Sequence, residues 1–316
     1  MERAAIIGEM NSIEIRNGQV MPNSEKDTVV DVRGNFNHGF FASKSHGFNI
    51  GLVAATHVGK KRLRNEDHYA VFRRTRNCEM LMSNLPSDDV AFVKDEAFGI
   101  LVADGIGGAE FGDFASQLAI ETLLQAAGLA TSWIMRFKDL DSQQIQERAA
   151  AYVDRIQSAF RHYVDEEPGK RTMGTTLTSA YLIPPHAIFA HIGDSRAYVF
   201  RKGKLTQITR DQTLAQSLID AGAPPSQVKG LGHVLVNSLG IGRDQVDAEV
   251  KHVELSSGDR LLLCTDGLTD MVEDEVISET LAEENLQTAC DVLLDLALNA
   301  GGKDNITLVI CEITST

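Results

Sequence analysis

Short apolar blocks, separated by turn residues, recur along the chain from about residue 47. They are brief, rich in β-branched or alternating apolar residues, and bounded by Gly, Asn, Asp or Pro, which is typical of β-strands. The strands predicted in this way are 49–56, 68–72, 98–104, 175–183, 186–194, 196–209, 260–266 and 305–313. Within 196–209, the pair Lys202-Gly203 predicts a hairpin turn.

A longer apolar repeat with helical spacing marks other segments. Over 113–130 the apolar positions recur every three to four residues, as on the buried face of a helix. Further helices are predicted at 143–166, 211–221, 273–283 and 285–299. Because the strands cluster and connect through short turns, we expect an α+β fold of mainly antiparallel sheets with helices outside them, not a doubly wound parallel fold.

Residues 1–46 differ from this pattern, since they are polar with scattered Gly, Asn and Ser. Ile13 and Ile15 alternate with polar residues ahead of Asn17-Gly18, a favoured hairpin turn, so a short ribbon and a disordered tail are both compatible with the sequence. We therefore expect an N-terminal extension of unknown role over 1–46 and one domain over 47–316. A hydrophobic content of 43% is sufficient for a sizeable core.

The charge, hydropathy and cysteine content argue against nucleic-acid binding, a membrane span and an oxidising compartment. The net charge of −14 would repel a nucleic-acid backbone. No apolar run approaches the roughly 18 residues of a membrane span, and the N-terminus lacks the pattern of a signal peptide. The cysteines, Cys78, Cys264, Cys290 and Cys311, are far apart, which fits a reducing compartment. We expect a cytoplasmic protein that binds neither nucleic acid nor membrane.

Acidic residues stand repeatedly where a predicted strand meets a turn. These residues are Glu66, Asp67, Asp104, Asp194, Asp266 and Asp304. One such aspartate is ordinary turn chemistry, but five such places in one chain suggest convergence at one sheet edge. Converging carboxylates repel each other and must be paired with cations. An all-oxygen ligand set without a cluster of His or Cys selects Mg²⁺ or Mn²⁺.

The glycines of LVADGIGG (101–108) have two interpretations. Beside Asp104 they let a backbone carbonyl or a hydrated ion approach closely. They do not match a nucleotide-binding loop, because the position of the third glycine in G-x-G-x-x-G is occupied by Glu110 and no G-K-[ST] follows. Two ions held about 3.5–4 Å apart activate a water between them, which suits phosphoryl hydrolysis.

Six motifs resemble, in the same order, those of the metal-dependent protein phosphatases of the protein phosphatase 2C (PPM) family. They are VGKKRLRNED (58–67), LVADGIGG (101–108) followed by FGDFAS, MGTTLTSAYL (173–182), HIGDSRAYVFRKGKL (191–205), LCTDGLTDMV (263–272) and GGKDNITLVI (301–310). The resemblance covers about residues 47–316 and is to the bacterial branch. It implies a four-layer αββα sandwich, in which two mainly antiparallel sheets pack face to face with helices outside each.

The resemblance also implies a role for individual residues. By this resemblance Asp104 bridges two metal ions, Glu66 and the Gly105 carbonyl complete the first site, and Asp266 and Asp304 complete the second. Asp194 and Asp266 together hold a third, weaker ion. Asp67 orients water or ligands, and Arg62 binds the substrate phosphate. Asn305 is expected to fix the turn after Asp304.

The chain departs from the family's pattern at two positions. Many members have DGHGG, whose His acts as a proton donor, and here Ile106 occupies that position, so a water would have to protonate the leaving oxygen. The family often has T-x-D-H after the GDSR hairpin, and here Gln212 replaces the His. Residues 212–245 match the mobile flap region of the family and are expected to select substrates. Residues 73–97 are expected to form an enlarged connection between two strands. His191 lies within a strand pattern and is interpreted as structural.

The leading hypothesis is hydrolysis of phosphoserine or phosphothreonine on proteins, by a water activated between two Mg²⁺ or Mn²⁺ ions. The resemblance places such a protein in bacterial-type signalling, where it counters a Ser/Thr kinase, and implies a monomer. A catalytically silent adaptor of the same fold is the alternative, although it would be expected to lack the metal acids that are present here. A hydrolase of small phosphate esters is a third possibility that the site chemistry leaves open.

Overall fold

The computed structural model describes residues 15–16, 19–20, 28–31, 35–41, 48–76, 95–107, 111–129, 142–166, 173–240 and 246–315. Several predicted features therefore lie outside the described residues. They are the turn at 17–18, most of the enlarged connection (77–94), Gly108 and the end of the flap (241–245).

Runs of strands and runs of helices follow one another along the described chain. The strands are β1 Ile15–Arg16, β2 Gln19–Val20, β3 Thr28–Asp31, β4 Asn35–Phe41, β5 Phe48–His57, β6 Asp67–Arg76, β7 Asp95–Ile106, β8 Gly174–Thr175, β9 Leu177–Ile183, β10 His186–Ile192, β11 Arg196–Arg201, β12 Lys204–Gln207, β13 Leu239–Gly240, β14 Glu249–Glu254, β15 Asp259–Cys264 and β16 Ile306–Ser315. The helices are α1 Gly112–Leu129, α2 Ser142–Glu166, α3 Leu214–Asp220, α4 Asp266–Thr269, α5 Asp274–Thr280 and α6 Leu286–Asn299, with a short 3-10 helix at Pro225–Gln227.

Two antiparallel sheets are built from these strands. Sheet I has the order β13-β8-β7-β9-β10-β14, and β6 also pairs with β7. Sheet II has the order β12-β11-β15-β16-β5-β4-β3. At the tight turn between β11 and β12, Lys202 and Gly203 both have a positive φ, as the predicted hairpin requires.

Three apolar clusters separate four layers. The first lies between the sheets and includes Ile100 and Phe189 of sheet I with Leu52 and Leu261 of sheet II. The second joins the other face of sheet II to α4, α5 and α6, and the third joins the other face of sheet I to α1 and α2. Each sheet is thus apolar on both faces, because one face meets the other sheet and the opposite face meets helices. The predicted four-layer αββα sandwich is confirmed.

Four strands of the N-terminal extension, β1 to β4, lie among the described residues. Strands β1 and β2 pair with each other, so the predicted ribbon is confirmed on either side of the turn. Strands β3 and β4 form a hairpin whose second strand pairs with β5 and so extends sheet II. The boundary between residues 46 and 47 stays a prediction, although the sheet continues across it.

The sequence pattern was wrong about some strand limits. The strand predicted over 260–266 ends at Cys264, and Asp266 instead begins the short helix α4. The strand predicted over 186–194 ends at Ile192, because Gly193 has a positive φ that breaks the ladder. Strands β3, β4, β13 and β14 were not predicted. In the part of the chain that the structure describes, no helix combines the length and the hydropathy that would let it span a bilayer.

Candidate metal centre

Four aspartates reach one region from strand ends in both sheets. Asp67 begins β6 and lies opposite Asp104 of β7 in the antiparallel register of sheet I. Asp266 follows β15, and Asp304 precedes β16, which pairs with β15 in sheet II. The Thr265 hydroxyl donates to Oδ2 of Asp67 over 2.8 Å and so connects the two strand ends directly. The predicted convergence is therefore present, but the acids come from two sheets and not from one sheet edge.

These carboxyl groups disfavour one another's charge. Burial, followed by repulsion from Asp67 and Asp266 among others, raises the pKa of Asp104 well above its usual value. Burial raises the pKa of Asp67 to about 7, although hydrogen bonds from two threonines oppose it. The pKa of Asp266 is likewise raised to about 7, by burial and by its acidic neighbours. A bound cation would reverse this repulsion and favour the charged carboxylates.

Glu66 is held at this site through its backbone. Its N–H donates to Oδ1 of Asn305 over 2.8 Å, and its carbonyl accepts from the Ser116 hydroxyl of α1 over 2.5 Å. The same carbonyl accepts from the Gly105 N–H at 3.2 Å. Asn305 also donates from Nδ2 to the carbonyls of Val58 and Arg64, so it ties the segment after Asp304 to the segment that carries Arg62.

The glycines around Asp104 allow close packing of backbone. A Cβ on Gly105 would lie 2.1 Å from the carbonyl oxygen of Gly112, and a Cβ on Gly112 would lie 2.1 Å from Oε2 of Glu66. Of the two groups expected to approach these glycines, a backbone carbonyl or a hydrated ion, the structure shows the carbonyl at Gly105, where the missing side chain makes room for the first turn of α1. Helix α1 can start against the site only because both positions are glycine.

Arg62 lies on the rim of this acidic region. Its Nη2 donates to Oδ2 of Asp304 over 2.5 Å, with 54% of the arginine side chain and 33% of the aspartate side chain exposed. The hydrogen bond to Asp304 is the main cause that raises the pKa of Arg62, and Glu66 and Asp104 act in the same direction. The predicted phosphate-binding residue is thus at the site, and its guanidinium is directed at a predicted metal ligand.

A second group of acids continues from Asp266. Asp194, which follows β10, is buried, and burial together with Asp266 and Asp211 raises its pKa to about 8. Asp270 of the same region has a raised pKa because of burial, and its charge contributes to the raised pKa of both Asp194 and Asp266. The sequence reasoning missed Asp270. Its spacing of four residues from Asp266 could have indicated it, since positions i and i+4 share a helix face.

Gln212 joins the flap to the loop that carries Asp194. Its side-chain oxygen accepts from the Gly193 N–H over 2.9 Å and from Nδ2 of Asn237 over 2.8 Å. Its backbone N–H donates to the Gly193 carbonyl, and its carbonyl accepts from the Val236 N–H. Next to it, Asp211 binds Arg196 of the GDSR motif through two hydrogen-bonded oxygens. The departure noted at Gln212 therefore lies at the base of the flap.

His191 is structural, as interpreted from the sequence. It is 1% exposed, Thr178 lies 2.8 Å from its Nδ1, and the Arg210 carbonyl lies 3.1 Å from its Nε2. The predicted site residues are all near the acidic region: Arg62, Glu66, Asp67, Asp104, Gly105, Asp194, Asp266 and Asp304.

The donor chemistry fits hard divalent cations. Oδ1 of Asp67 and Oδ1 of Asp266 are buried without a hydrogen-bond partner, which is costly unless a cation or water satisfies them. The surrounding donors are oxygens, as Mg²⁺ and Mn²⁺ prefer. Over the described residues, no three His, Cys, Asp or Glu side chains are already arranged to hold an ion. In this structure Oδ2 of Asp304 accepts a hydrogen bond from Arg62.

Comparisons with known proteins agree with the sequence motifs. The family model described as Protein phosphatase 2C matches residues 79–292. The serine/threonine protein phosphatase PstP of Mycobacterium tuberculosis (strain H37Rv) is 35% identical over 215 residues, which are 68% of this chain and 40% of that protein. The chain thus spans less than half the length of this relative.

Two further proteins are similar to this chain over most of the length of both compared sequences. The serine/threonine phosphatase stp of Listeria monocytogenes serovar 1/2a is 31% identical over 263 residues, which are 81% of this chain and 93% of that protein. The crystal structure of the catalytic domain of a serine threonine protein phosphatase PstP in complex with two manganese ions has a TM-score of 0.64 and 31% identity, and the match covers 85% of this chain and all of that one.

Proposed function

The chain belongs to the protein phosphatase 2C family, and from that premise we propose that it hydrolyses phosphoserine or phosphothreonine in proteins with bound Mn²⁺ or Mg²⁺. The observation that carries this proposal is the convergence of Asp67, Asp104, Asp266 and Asp304 from two sheets, with buried carboxylate oxygens that lack a partner. The two manganese ions of the PstP structure support the choice of cation.

The residues present would hold two ions in the core of the site. Glu66, Asp104 and the Gly105 carbonyl would form one position, and Asp104, Asp266 and Asp304 the other. Asp67, whose Oδ2 is fixed by Thr265, would orient ligands with its remaining oxygen. Two such ions would supply Lewis-acid activation of water for attack on phosphorus. A third, weaker ion would use Asp194 and Asp266, and we add Asp270 to that set because its charge acts on both.

Arg62 would bind the phosphate of the substrate. A guanidinium presents several N–H donors in one plane and matches phosphate oxygens in a bidentate manner. Its partial exposure at the rim leaves it accessible to a phosphorylated side chain. Phosphate would compete with Asp304 for the Arg62 guanidinium.

We further propose a place for the protein in signalling. Its substrates would be phosphorylated proteins, and its activity would counter a Ser/Thr kinase. The flap, anchored at Gln212, would contribute to substrate choice, since loops next to a rigid site commonly carry specificity. A monomer is sufficient for this function because every proposed site residue comes from one chain.

The direct test is phosphate release from a phosphothreonine peptide, first with Mn²⁺ and then with excess EDTA. Activity should require Mn²⁺ and disappear with EDTA. Asp104→Asn and Asp266→Asn should each lower turnover by at least about a hundredfold, since loss of one electrostatic group at a reaction centre typically costs about 10²–10³. Asp295→Asn, at an exposed position of α6, is the control and should match the wild type.

Two outcomes would contradict the proposal. Wild-type turnover in both Asp104→Asn and Asp266→Asn would show that these carboxylates are not needed for hydrolysis. Absence of turnover, together with absence of Mn²⁺ binding by calorimetry, would favour the silent adaptor instead.

A further inference from the structure

Leu63 is exposed to an unusual degree beside the candidate site. It is 97% exposed, whereas the other exposed large apolar side chains of the described residues, Val234, Val276 and Val292, are each 37% exposed. Leu63 directly follows Arg62, which contacts Asp304. A single exposed leucine elsewhere on a surface needs no explanation, but this one lies next to the residue proposed to bind the substrate phosphate.

The loop that carries Leu63 is fixed at both ends. Asn305 donates to the carbonyls of Val58 and Arg64, which flank the loop. The Lys60 N–H donates to the Gly302 carbonyl over 2.7 Å. Gly59 has a φ of +78°, and a Cβ there would lie 2.2 Å from the Asp304 carbonyl oxygen, so only glycine allows this approach. The loop is therefore tied to the same segment as Asp304, and little conformational entropy remains to be lost on binding.

Positive charge surrounds Leu63 on an acidic protein. Lys60, Lys61, Arg62 and Arg64 are all exposed in the same stretch, although the chain has a net charge of −14. Such a local patch attracts phosphate and acidic side chains while the rest of the surface repels them. The positive charges attract an acidic or phosphorylated substrate towards this loop, and Leu63 at the centre of the patch offers an apolar contact.

We propose that Leu63 determines specificity by contacting an apolar side chain that flanks the phosphorylated residue of a protein substrate. This inference rests on the proposed function. Neighbouring Cα atoms are about 3.8 Å apart, and an extended peptide advances about 3.3–3.6 Å per residue. With Arg62 on the phosphate, Leu63 reaches residues within about three positions of the phosphorylated one. The preferred substrate is a phosphopeptide with an apolar residue in that window, and acidic residues beside it bind the basic patch.

The test compares Leu63→Ser with the wild type on matched phosphothreonine peptides. In one series a single leucine is moved through the three positions on each side of the phosphothreonine, in a background of serine and acidic residues. We expect the wild type to prefer the peptide with leucine at one of these positions by about tenfold in kcat/KM. Leu63→Ser should lose this preference, and Leu63→Met should retain most of it, since methionine keeps an apolar side chain of similar size.

Two controls separate this inference from the proposed function. Val276→Ser removes an exposed apolar residue from α5 and should leave the peptide preference unchanged. Mn²⁺-dependent hydrolysis of p-nitrophenyl phosphate reports the reaction centre alone, because that ester has no flanking residues. Equal discrimination by wild type and Leu63→Ser, or no discrimination by the wild type, would overturn the docking proposal while small-ester turnover persists. Absence of turnover on every substrate would overturn the proposed function and the docking proposal with it.

Discussion

At the residue scale, Asn305 shows how one polar side chain organises the candidate site. Its oxygen accepts from the Glu66 N–H, and its nitrogen donates to two carbonyls of the 58–64 loop. It therefore connects the start of β16 to the segment that carries both Arg62 and Glu66. Because Asn305 is 5% exposed, its loss would remove three hydrogen bonds to the backbone from a partly buried region. The asparagine that follows Asp304 is thus a positioning residue.

His191 makes the stability of the protein depend on pH. Burial lowers its pKa in the folded state, against the opposing charges of Glu249 and Asp211. In the unfolded chain the pKa is about 6.5, so below this pH the unfolded state binds more protons than the folded state. The contribution of His191 is therefore fully present above about pH 6.5 and is lost as the pH falls towards the folded pKa, by up to about 1.4 kcal/mol per pH unit.

Substitution of His191 by Gln should flatten this dependence. Denaturant unfolding of the two proteins between pH 5 and pH 7.5, in EDTA, measures it. The wild type should lose more stability than His191→Gln on acidification, although the variant is less stable at pH 7.5 because of imperfect hydrogen bonds to Thr178 and Arg210. Parallel curves for the two proteins would show that His191 does not take part in the linkage.

At the element scale, the flap is held to the Asp194 loop by Gln212. Gln212→Ala would leave the Gly193 N–H and one Asn237 N–H without their acceptor. We expect a loss of about 1–3 kcal/mol in stability, together with faster hydrogen exchange of flap amides near Val236 and Asn237. Gln216→Ala is a matched control, because it removes a half-buried glutamine of α3 whose side-chain amide donates to Asp220 and not to the Asp194 loop. Unchanged exchange in Gln212→Ala would contradict this anchoring role.

The N-terminal hairpin protects an edge of sheet II. Strand β4 pairs with β5 from Phe36 opposite Thr56 to Phe41 opposite Gly51. Deletion of residues 1–46 would expose the backbone of β5 as an unpaired edge, which favours association between copies. We expect lower thermal stability and concentration-dependent self-association by light scattering, with small-ester turnover retained, since every proposed site residue lies beyond the deletion.

A shorter deletion separates this effect from loss of the ribbon. Removal of residues 1–27 takes away β1 and β2 and leaves β3 and β4 in place. This variant should remain as stable and as dispersed as the full chain. Equal behaviour of the two deletions would show that the hairpin does not protect β5.

The elements that the sequence predicted are those with a strong apolar pattern. Helices α1, α2, α5 and α6 and strands β5 to β7 each bury one or two apolar faces, and that burial fixes both the pattern and the element. Strand β14 was missed because its sequence EVKHVE is largely charged. It pairs with β10 at an edge of sheet I, where charged residues are favoured because they discourage association. Helix α4 was missed because it is a single turn.

The sequence predicted those residues of the candidate site that are acidic and lie at the end of a predicted strand. Asp67 and Asp104 lie near the ends of β6 and β7, and Asp266 and Asp304 flank β15 and β16, so strand ends were sufficient to find them. Asp270 and Leu63 were missed for another reason. The charge of Asp270 matters because of its neighbours in space, and the importance of Leu63 depends on its exposure, which no local pattern states. The contact between Gly105 and Gly112 also follows only from packing.

At the scale of the whole molecule, the proposed ions would join the two sheets. Asp104 comes from sheet I, whereas Asp266 and Asp304 come from strand ends of sheet II. Hydrogen bonds that already cross this end include those from Thr265 to Asp67 and from the Glu66 N–H to Asn305. Ions shared by both sheets would hold them together more firmly, and this would oppose global unfolding as well as serve the reaction.

Mn²⁺ should therefore raise the thermal stability of the full chain. A ligand that binds only the folded state at one hundred times its dissociation constant adds about 2.7 kcal/mol per site, and about 2–4 °C in Tm accompanies each kcal/mol in a domain of roughly 150–250 residues. We expect a rise of at least about 5 °C for the wild type and for the exposed-surface control Asp295→Asn. Asp104→Asn should show little rise, since it lacks the shared ligand.

In EDTA the same variant should be more stable than the wild type, because one of several repelling carboxylates is gone. Scanning calorimetry with and without Mn²⁺ measures both effects, and their opposite signs exclude a general loss of folding in Asp104→Asn. Equal shifts with Mn²⁺ in the wild type and Asp104→Asn would mean that the ions do not bind between the sheets.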